Sequence, residues 1–294
     1  MNTHGRNKTF LLGVGCQKGG TTWLHHSLSA HPQVDFGFIK EYHVFDYMFI
    51  PAFSAGMAKK RKELETLQEM VLKPREPTEA EALAQRAQRS ELLQGFRETP
   101  ELYVQYFQSI WENNPSVEVV GDITPSYAGL SAENYREIKK HLEANGFAVK
   151  VIFLMRDPVD RVRSQIRMIH ARLEKRGSDA SIEETFATFF KDPMVEIRTR
   201  YENMLRALDE AFRPEDFLVL FFEEFFGNQS FHQVTDFLGI SHFDVDFKKV
   251  FSYPEKETIS EHLKKQARRY YASTHQYCMA RYGEKFIKEI WPYA

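Results

Sequence analysis

Little in this 294-residue chain is extreme, and its absences already narrow what it does. Cysteine occurs twice, as Cys16 and Cys278. Two such distant thiols offer neither a metal-ligand spacing nor a disulfide framework, which suits a reducing compartment. No charge of one sign dominates, because 39 Lys and Arg face 41 Asp and Glu for a net charge of -2. Proteins that coat nucleic acid or anionic membrane are usually strongly basic, so neither partner is expected. No apolar run approaches the roughly 20 residues of a membrane-spanning helix, and the polar first seven residues do not read as a secretory signal. A cytoplasmic protein that does not span a membrane is the expectation. With 43% hydrophobic and 27% charged residues, wholesale disorder and fibrous repeats are excluded as well. One class is abundant: 25 Phe, 13 Tyr and 3 Trp make up 14% of the chain, most of them expected in the core.

Short apolar runs alternate with helical stretches. Residues 8–15 are an apolar run ending in glycine, as in a buried strand of a parallel sheet. A glycine loop follows at 16–20 and a helix at 21–30, the front half of a βαβ unit. Further strands are expected at 34–38, 117–121, 149–155 and 217–222. Helices are expected at 158–175, with Asp157 as N-cap and Pro158 at the first helical position, and at 182–212, 229–238 and 260–282. Residues 57–114 read as a helical insertion, broken at 73–77 and packed on the main fold. The sum is an α/β fold, one domain over residues 1–294, with a mainly parallel sheet between helical layers.

Ligands of such sheets bind outside the carboxyl ends of the strands. The loop after the first strand reads GCQKGGTT over residues 15–22. Its glycines let backbone amides turn toward an anion, the helix start adds its positive dipole end, Lys18 adds a full charge, and Thr21 and Thr22 add hydroxyls. It is a cradle for a phosphate-like group, yet not a Walker A motif: Thr21 stands where that motif needs lysine, and the lysine has moved to position 18. Asp122 is the nearest substitute for a metal-holding aspartate. The second informative stretch runs from Arg156 to Ser164. Arg156 ends the best strand, Ser164 lies two helical turns on, and a guanidinium with a hydroxyl can grip a phosphate. Residues 156–176 hold six Arg and one Lys against two Asp and one Glu, a local excess of +4. Arg163, Arg167, Arg172 and Arg176 are also explained as an exposed, salt-bridged face.

Two phosphate sites on one sheet edge suggest a nucleotide with phosphates at both ends of its ribose. Here the sequence resembles the sulfotransferases that use 3'-phosphoadenosine 5'-phosphosulfate (PAPS), in matching order over about residues 8–240. Residues 15–24 look like their 5'-phosphosulfate loop and residues 156–164 like their 3'-phosphate motif. Residues 40–46 are similar to the segment after the second strand in the glycan-modifying branch, and residues 121–127 and 237–240 sit where the family has related stretches. The resemblance implies a P-loop-like fold, with Lys18, Gly19, Gly20, Thr21 and Thr22 around the 5' end and Arg156 and Ser164 on the 3'-phosphate. It implies Glu41 as the base that deprotonates the acceptor, with His43 as the rival base and packed structural residue as its other reading. Lys18 would neutralise charge on the leaving group without a metal, and Lys40 either contacts the acceptor or lowers the Glu41 pKa. The family's glycine-rich basic motif near the C-terminus is not evident, and Lys256, Lys264, Lys265, Arg268 and Arg269 are its unranked substitutes. Asp122 and Ile123 replace the more usual glutamate and lysine, so a buried turn is an equal reading there. The expected acceptor is a small molecule, lipid or glycan. A P-loop nucleotide kinase and a non-catalytic nucleotide-binding protein are the alternatives.

Overall fold

The computed structural model describes residues 8–73, 76–177, 181–245 and 259–294. Five strands, β1 Thr9–Gly15, β2 Val34–Asp35, β3 Val119–Ile123, β4 Ala148–Met155 and β5 Phe217–Phe221, form one sheet in the order β2-β3-β1-β4-β5. Every pairing is parallel. Successive side chains of a strand point to opposite faces, so a strand covered on both sides must be apolar throughout. In β1, Phe10, Leu12 and Val14 enter one core and Leu11 the other; in β4, Val151, Phe153 and Met155 oppose Ile152 and Leu154. The second of these cores is closed by the helices Thr21–Ser29 and Asn228–Leu238. The first is closed by Ala132–Ala144, Tyr201–Ala211 and the insertion, whose Phe96, Tyr103, Val104 and Phe107 pack with Phe10. Edge-to-face rings, such as Phe10 on Phe107 at 5.1 Å, account for much of the aromatic content. A third, smaller cluster joins Val159, Val162 and Ile166 to Phe186 and Ala267.

Several boundaries differ from expectation for local reasons. β2 stops at Asp35 because its carboxylate accepts the Gly37 amide at 2.7 Å and Gly37 turns the chain at φ +70°. The helical region 182–212 splits into Ile182–Phe189, Pro193–Glu196 and Tyr201–Ala211, since Pro193 lacks a donor and Asp192 caps a new start through the Met194 amide. The final helix pauses at Tyr271, giving Glu261–Tyr270 and Ala272–Tyr282, and Glu284–Ile290 follows. Helix Ala132–Ala144 was not anticipated, although Ser131 and Asn134 cap it reciprocally. The insertion comprises Met57–Val71, Pro77–Glu98 and Pro100–Asn113. Among the described residues, no helix is long and apolar enough to cross a membrane.

Candidate active site

The carboxyl ends of β1, β4 and β5 lie side by side, which brings residues 16–20, 156–157 and 222–224 to one edge. The Cys16 amide donates to the Leu154 carbonyl and the Phe222 amide to that of Met155, at 2.5 and 2.7 Å. Within the loop, a Cβ on Gly19 would stand 2.6 Å from Cys16 Sγ and 2.9 Å from the Leu154 oxygen, so only glycine fits. Among the described residues, no side chain caps the helix that begins at Thr21. The neighbouring helix Pro158–Glu174 is capped as expected, by Asp157 on the Val159 and Asp160 amides.

Lys18 and Arg156 converge here. An Arg156 Nη1 hydrogen donates to the Lys18 carbonyl at 3.1 Å, the guanidinium lies 4.2 Å over the Phe222 ring, and the buried Arg156 Nε has no hydrogen-bond partner among the described residues. Lys18 Nζ reaches Met168 Sδ at 3.9 Å. Ser164, half-buried, stands one turn before Met168 on the same helix face, with Arg167 and Arg172 nearby at helical spacing. Burial, reinforced by the charges of Arg156, Arg172, Arg167 and Lys40, pushes the Lys18 amine down to about 8. Several cations gathered around one loop favour the binding of an anion there.

The second part of the site is the segment after β2. It has no ladder of its own and is pinned from outside: the Ile123 amide donates to the Lys40 carbonyl at 3.0 Å, the Val44 amide to the Tyr127 hydroxyl at 3.2 Å, and Arg97 to the Tyr42 and His43 carbonyls, both at 3.2 Å. Tyr42 and Val44 are buried, so Glu41 and His43 face the opposite side together. Lys40 Nζ donates to Glu41 Oε1 at 2.6 Å and to Thr21 Oγ1 at 3.1 Å, joining this segment to the glycine loop. His43 Nδ1 is 2.6 Å from Asp46 Oδ2, and Nε2 is 3.4 Å from Glu41 Oε2. Burial disfavours charge on both partners, but hydrogen bonds win: those of Asp46 and Glu41 raise His43 to about 9, and those of His43 and Lys40 lower Glu41 to about 2. At neutral pH this is a carboxylate held between two cations. Among the described residues, Lys18 (φ 70°) and His43 (φ 55°) are the non-glycine residues in the left-handed region, a conformation that costs about 1–3 kcal/mol and gathers at functional sites. A pocket of about 560 Å³ opens against Lys40, Glu41 and His43, walled by Tyr47 and Phe53 and, from the insertion, by Lys60, Leu93 and Arg97.

Lys18, Gly19, Gly20, Thr21, Arg156 and Ser164 therefore share one edge, and Glu41 and His43 are tied to it through Lys40. Thr22 is exposed on the first helical turn. Asp122 is fully buried, accepting the hydroxyls of Tyr103 at 2.5 Å and Tyr127 at 3.1 Å, but it lies on strand β3 and not in a turn, which comes only at Pro125–Gly129. Of the basic substitutes near the C-terminus, Lys264 pairs with Glu261, Arg268 donates to the Ala294 carbonyl, Lys265 and Arg269 are exposed, and Lys256 lies outside the described residues. Sequence reasoning missed Phe222 and Glu223. Burial lifts the Glu223 carboxyl to about 7, and it accepts the Asp157 amide and Trp291 Nε1. Both directly follow β5, and the strand-end rule that found Arg156 would have found them.

A model of the sulfotransferase family matches residues 11–244. No curated protein matches the sequence significantly. Among solved structures, a sulfotransferase from Alicyclobacillus acidocaldarius is similar at a TM-score of 0.59 with 18% identity, over 94% of this chain and 95% of that one. Also similar, each at a TM-score of 0.44, are the sulfotransferase domains of the Synechococcus PCC 7002 olefin synthase (15% identity, 91% and 90% covered) and of the curacin biosynthetic pathway (16%, 89% and 91%). The fold is the P-loop-like sandwich of the Alicyclobacillus acidocaldarius sulfotransferase, with the sheet between helical layers.

Proposed function

This chain belongs to the sulfotransferase family, and from that premise we propose that it moves a sulfuryl group from PAPS to a hydroxyl or amine of a small-molecule, lipid or glycan acceptor. The reading is carried by the position of Lys40 Nζ, between Thr21 Oγ1 of the loop and Glu41 Oε1. One side chain thus spans the anion cradle and the carboxylate that faces the pocket.

The loop amides, Lys18, Thr21 and Thr22 would hold the 5'-phosphosulfate, and Arg156 and Ser164 the 3'-phosphate. Arg156 Nε, buried without a partner among the described residues, is a donor awaiting an acceptor atom, and the cation cluster around Lys18 fits a polyanion. Transfer needs an acceptor oxygen in line with the bond that breaks. As the acceptor oxygen bonds to sulfur, the bond from sulfur to the bridging oxygen breaks, and its electron pair stays on the 5'-phosphate. Lys18 neutralises the charge growing there, a role that requires no metal ion. The acceptor proton passes to Glu41. His43, already protonated at neutral pH, is assigned to positioning Glu41 rather than to accepting the proton.

Two ligands separate this reading from a nucleotide kinase. Adenosine 3',5'-bisphosphate without magnesium should raise the melting temperature, whereas ATP with magnesium should not. Labelled sulfate should then move from PAPS to an acceptor. Stabilisation by ATP with magnesium alone would overturn the reading.

A further inference from the structure

The pocket beside Glu41 carries more positive charge than the chemistry at Glu41 uses. Lys40 and His43 are committed to that carboxylate. The helical insertion brings two further cations to the wall: Lys60 from Met57–Val71 and Arg97 from Pro77–Glu98. Lys60 is paired only at the surface, with Glu63 at 2.7 Å, both side chains nearly half exposed, and such a pair holds its partners weakly. Arg97 differs. Its Nε and Nη2 donate to backbone carbonyls, its guanidinium lies 4.7 Å over the Tyr47 ring, and among the described residues no carboxylate pairs with it. A guanidinium has five donors, so this half-buried arginine keeps hydrogen-bonding capacity beyond those two bonds. Arg198 lies 5.3 Å over Phe53, a wall of the same pocket. Between the cations the surface is apolar, formed by Tyr47, Phe53 and Leu93.

We infer that the acceptor is an anionic alcohol or phenol: its reacting hydroxyl meets Glu41, its apolar carbons lie on Tyr47, Phe53 and Leu93, and a carboxylate or phosphate at its far end meets Arg97 and Lys60. This rests on the reading of the pocket as the acceptor site. The insertion is then the element that selects the acceptor, while the sheet edge serves the donor. A buried or half-buried guanidinium recognises an anion with more specificity than a surface lysine, because its planar fork fixes direction as well as charge.

Matched probes test this. The full chain, with adenosine 3',5'-bisphosphate present, is titrated calorimetrically with 4-ethylphenol against 3-(4-hydroxyphenyl)propanoate, and with methyl glucoside against methyl glucuronide. In at least one pair the anion should bind about tenfold more tightly than its neutral partner. The gap should shrink in high salt, as screened charge requires, and should fall in Arg97→Gln and, less, in Lys60→Gln. Lys60 is exposed, so the second variant keeps the test open if the first misfolds. Equal or absent binding in both pairs, or a gap unchanged in both variants, overturns the inference. Sulfate transfer to the same probes separates the two claims: a charge gap without transfer to any probe supports anionic recognition while overturning sulfuryl transfer.

Discussion

The glycine-loop edge and the pocket beside Glu41, proposed above as donor and acceptor sites, handle charge in opposite ways. At the loop edge, Lys18 stands among Arg156, Arg167, Arg172 and Lys40, and burial, reinforced by repulsion from these charges, lowers its pKa to about 8. At the acceptor side, Glu41 is matched by Lys40 and His43, and His43 in turn by the buried Asp46. The first arrangement gathers several cations around one loop, as a polyanion's binding site requires. The second is compensated before any ligand arrives and spends its organisation on direction, holding one carboxylate toward a pocket. Binding affinity should therefore concentrate at the donor edge, and chemical rate at the meeting point of the two.

Lys18→Asn and Glu41→Gln are the strongest attempt to break that division. Asparagine tolerates the left-handed backbone at position 18, so the substitution removes charge without adding strain. We expect Lys18→Asn to lower turnover by about 10²–10³-fold and also to weaken adenosine 3',5'-bisphosphate. Glu41→Gln should lower turnover by about 10²-fold or more and leave nucleotide affinity as it was. Nucleotide titrations and steady-state kinetics on both variants decide. If Glu41→Gln weakens the nucleotide as much as Lys18→Asn does, the two sides are one charge network and the division is wrong.

A smaller effect sharpens the role of His43. Its pKa of about 9 keeps the imidazole charged up to the alkaline range, where losing the proton would release Glu41 from one of its two partners. His43→Asn, which also suits the left-handed backbone, should cost about tenfold in turnover, and should remove the component of the alkaline decline that belongs to His43 while leaving the one that belongs to Lys18. A pH-rate profile measured from pH 6 to 10 shows this. An unchanged alkaline limb would reduce His43 to a packing residue.

The two regions also differ in how far they could be read from sequence. The donor edge is local. Strand, glycine loop and helix occupy residues 9–29, Arg156 and Ser164 sit within nine positions of each other, and the strand-end rule supplies the third dimension. The acceptor pocket is assembled from Lys40, Glu41 and His43 on one segment, Tyr47 and Phe53 on the next, and Lys60, Leu93 and Arg97 on the insertion. No spacing rule connects Arg97 to His43, because their contact is a side chain on a backbone carbonyl 54 positions away. The broken helices were missed for a simpler reason: helical periodicity continues across Asp192 and Tyr271, while the cap and the backbone turn that interrupt it depend on single residues.

Asp122 links the regions from below and tests whether the fold beneath the site behaves as described. It lies on β3, fully buried, and burial lifts its carboxyl to about 7 despite the hydrogen bonds from Tyr103 and Tyr127. A folded-state pKa above the unfolded one means that the native state binds the extra proton. The resulting stability is fully present below the unfolded value near 3.8 and is lost as pH rises through about 7. Glu223 and His43, also raised, act in the same direction, His43 at higher pH; Glu41, lowered to about 2, contributes above 4.5 and is constant across this window. Asparagine keeps the shape and does not titrate. The melting temperature of the unsubstituted chain should fall between pH 5 and pH 8 by a few degrees more than that of Asp122→Asn, since about 1 kcal/mol moves a chain of this size by only a few degrees. Parallel curves would mean that Asp122 stays charged in the fold, and the buried tyrosine pair would then be stabilising an anion under the site rather than a neutral acid.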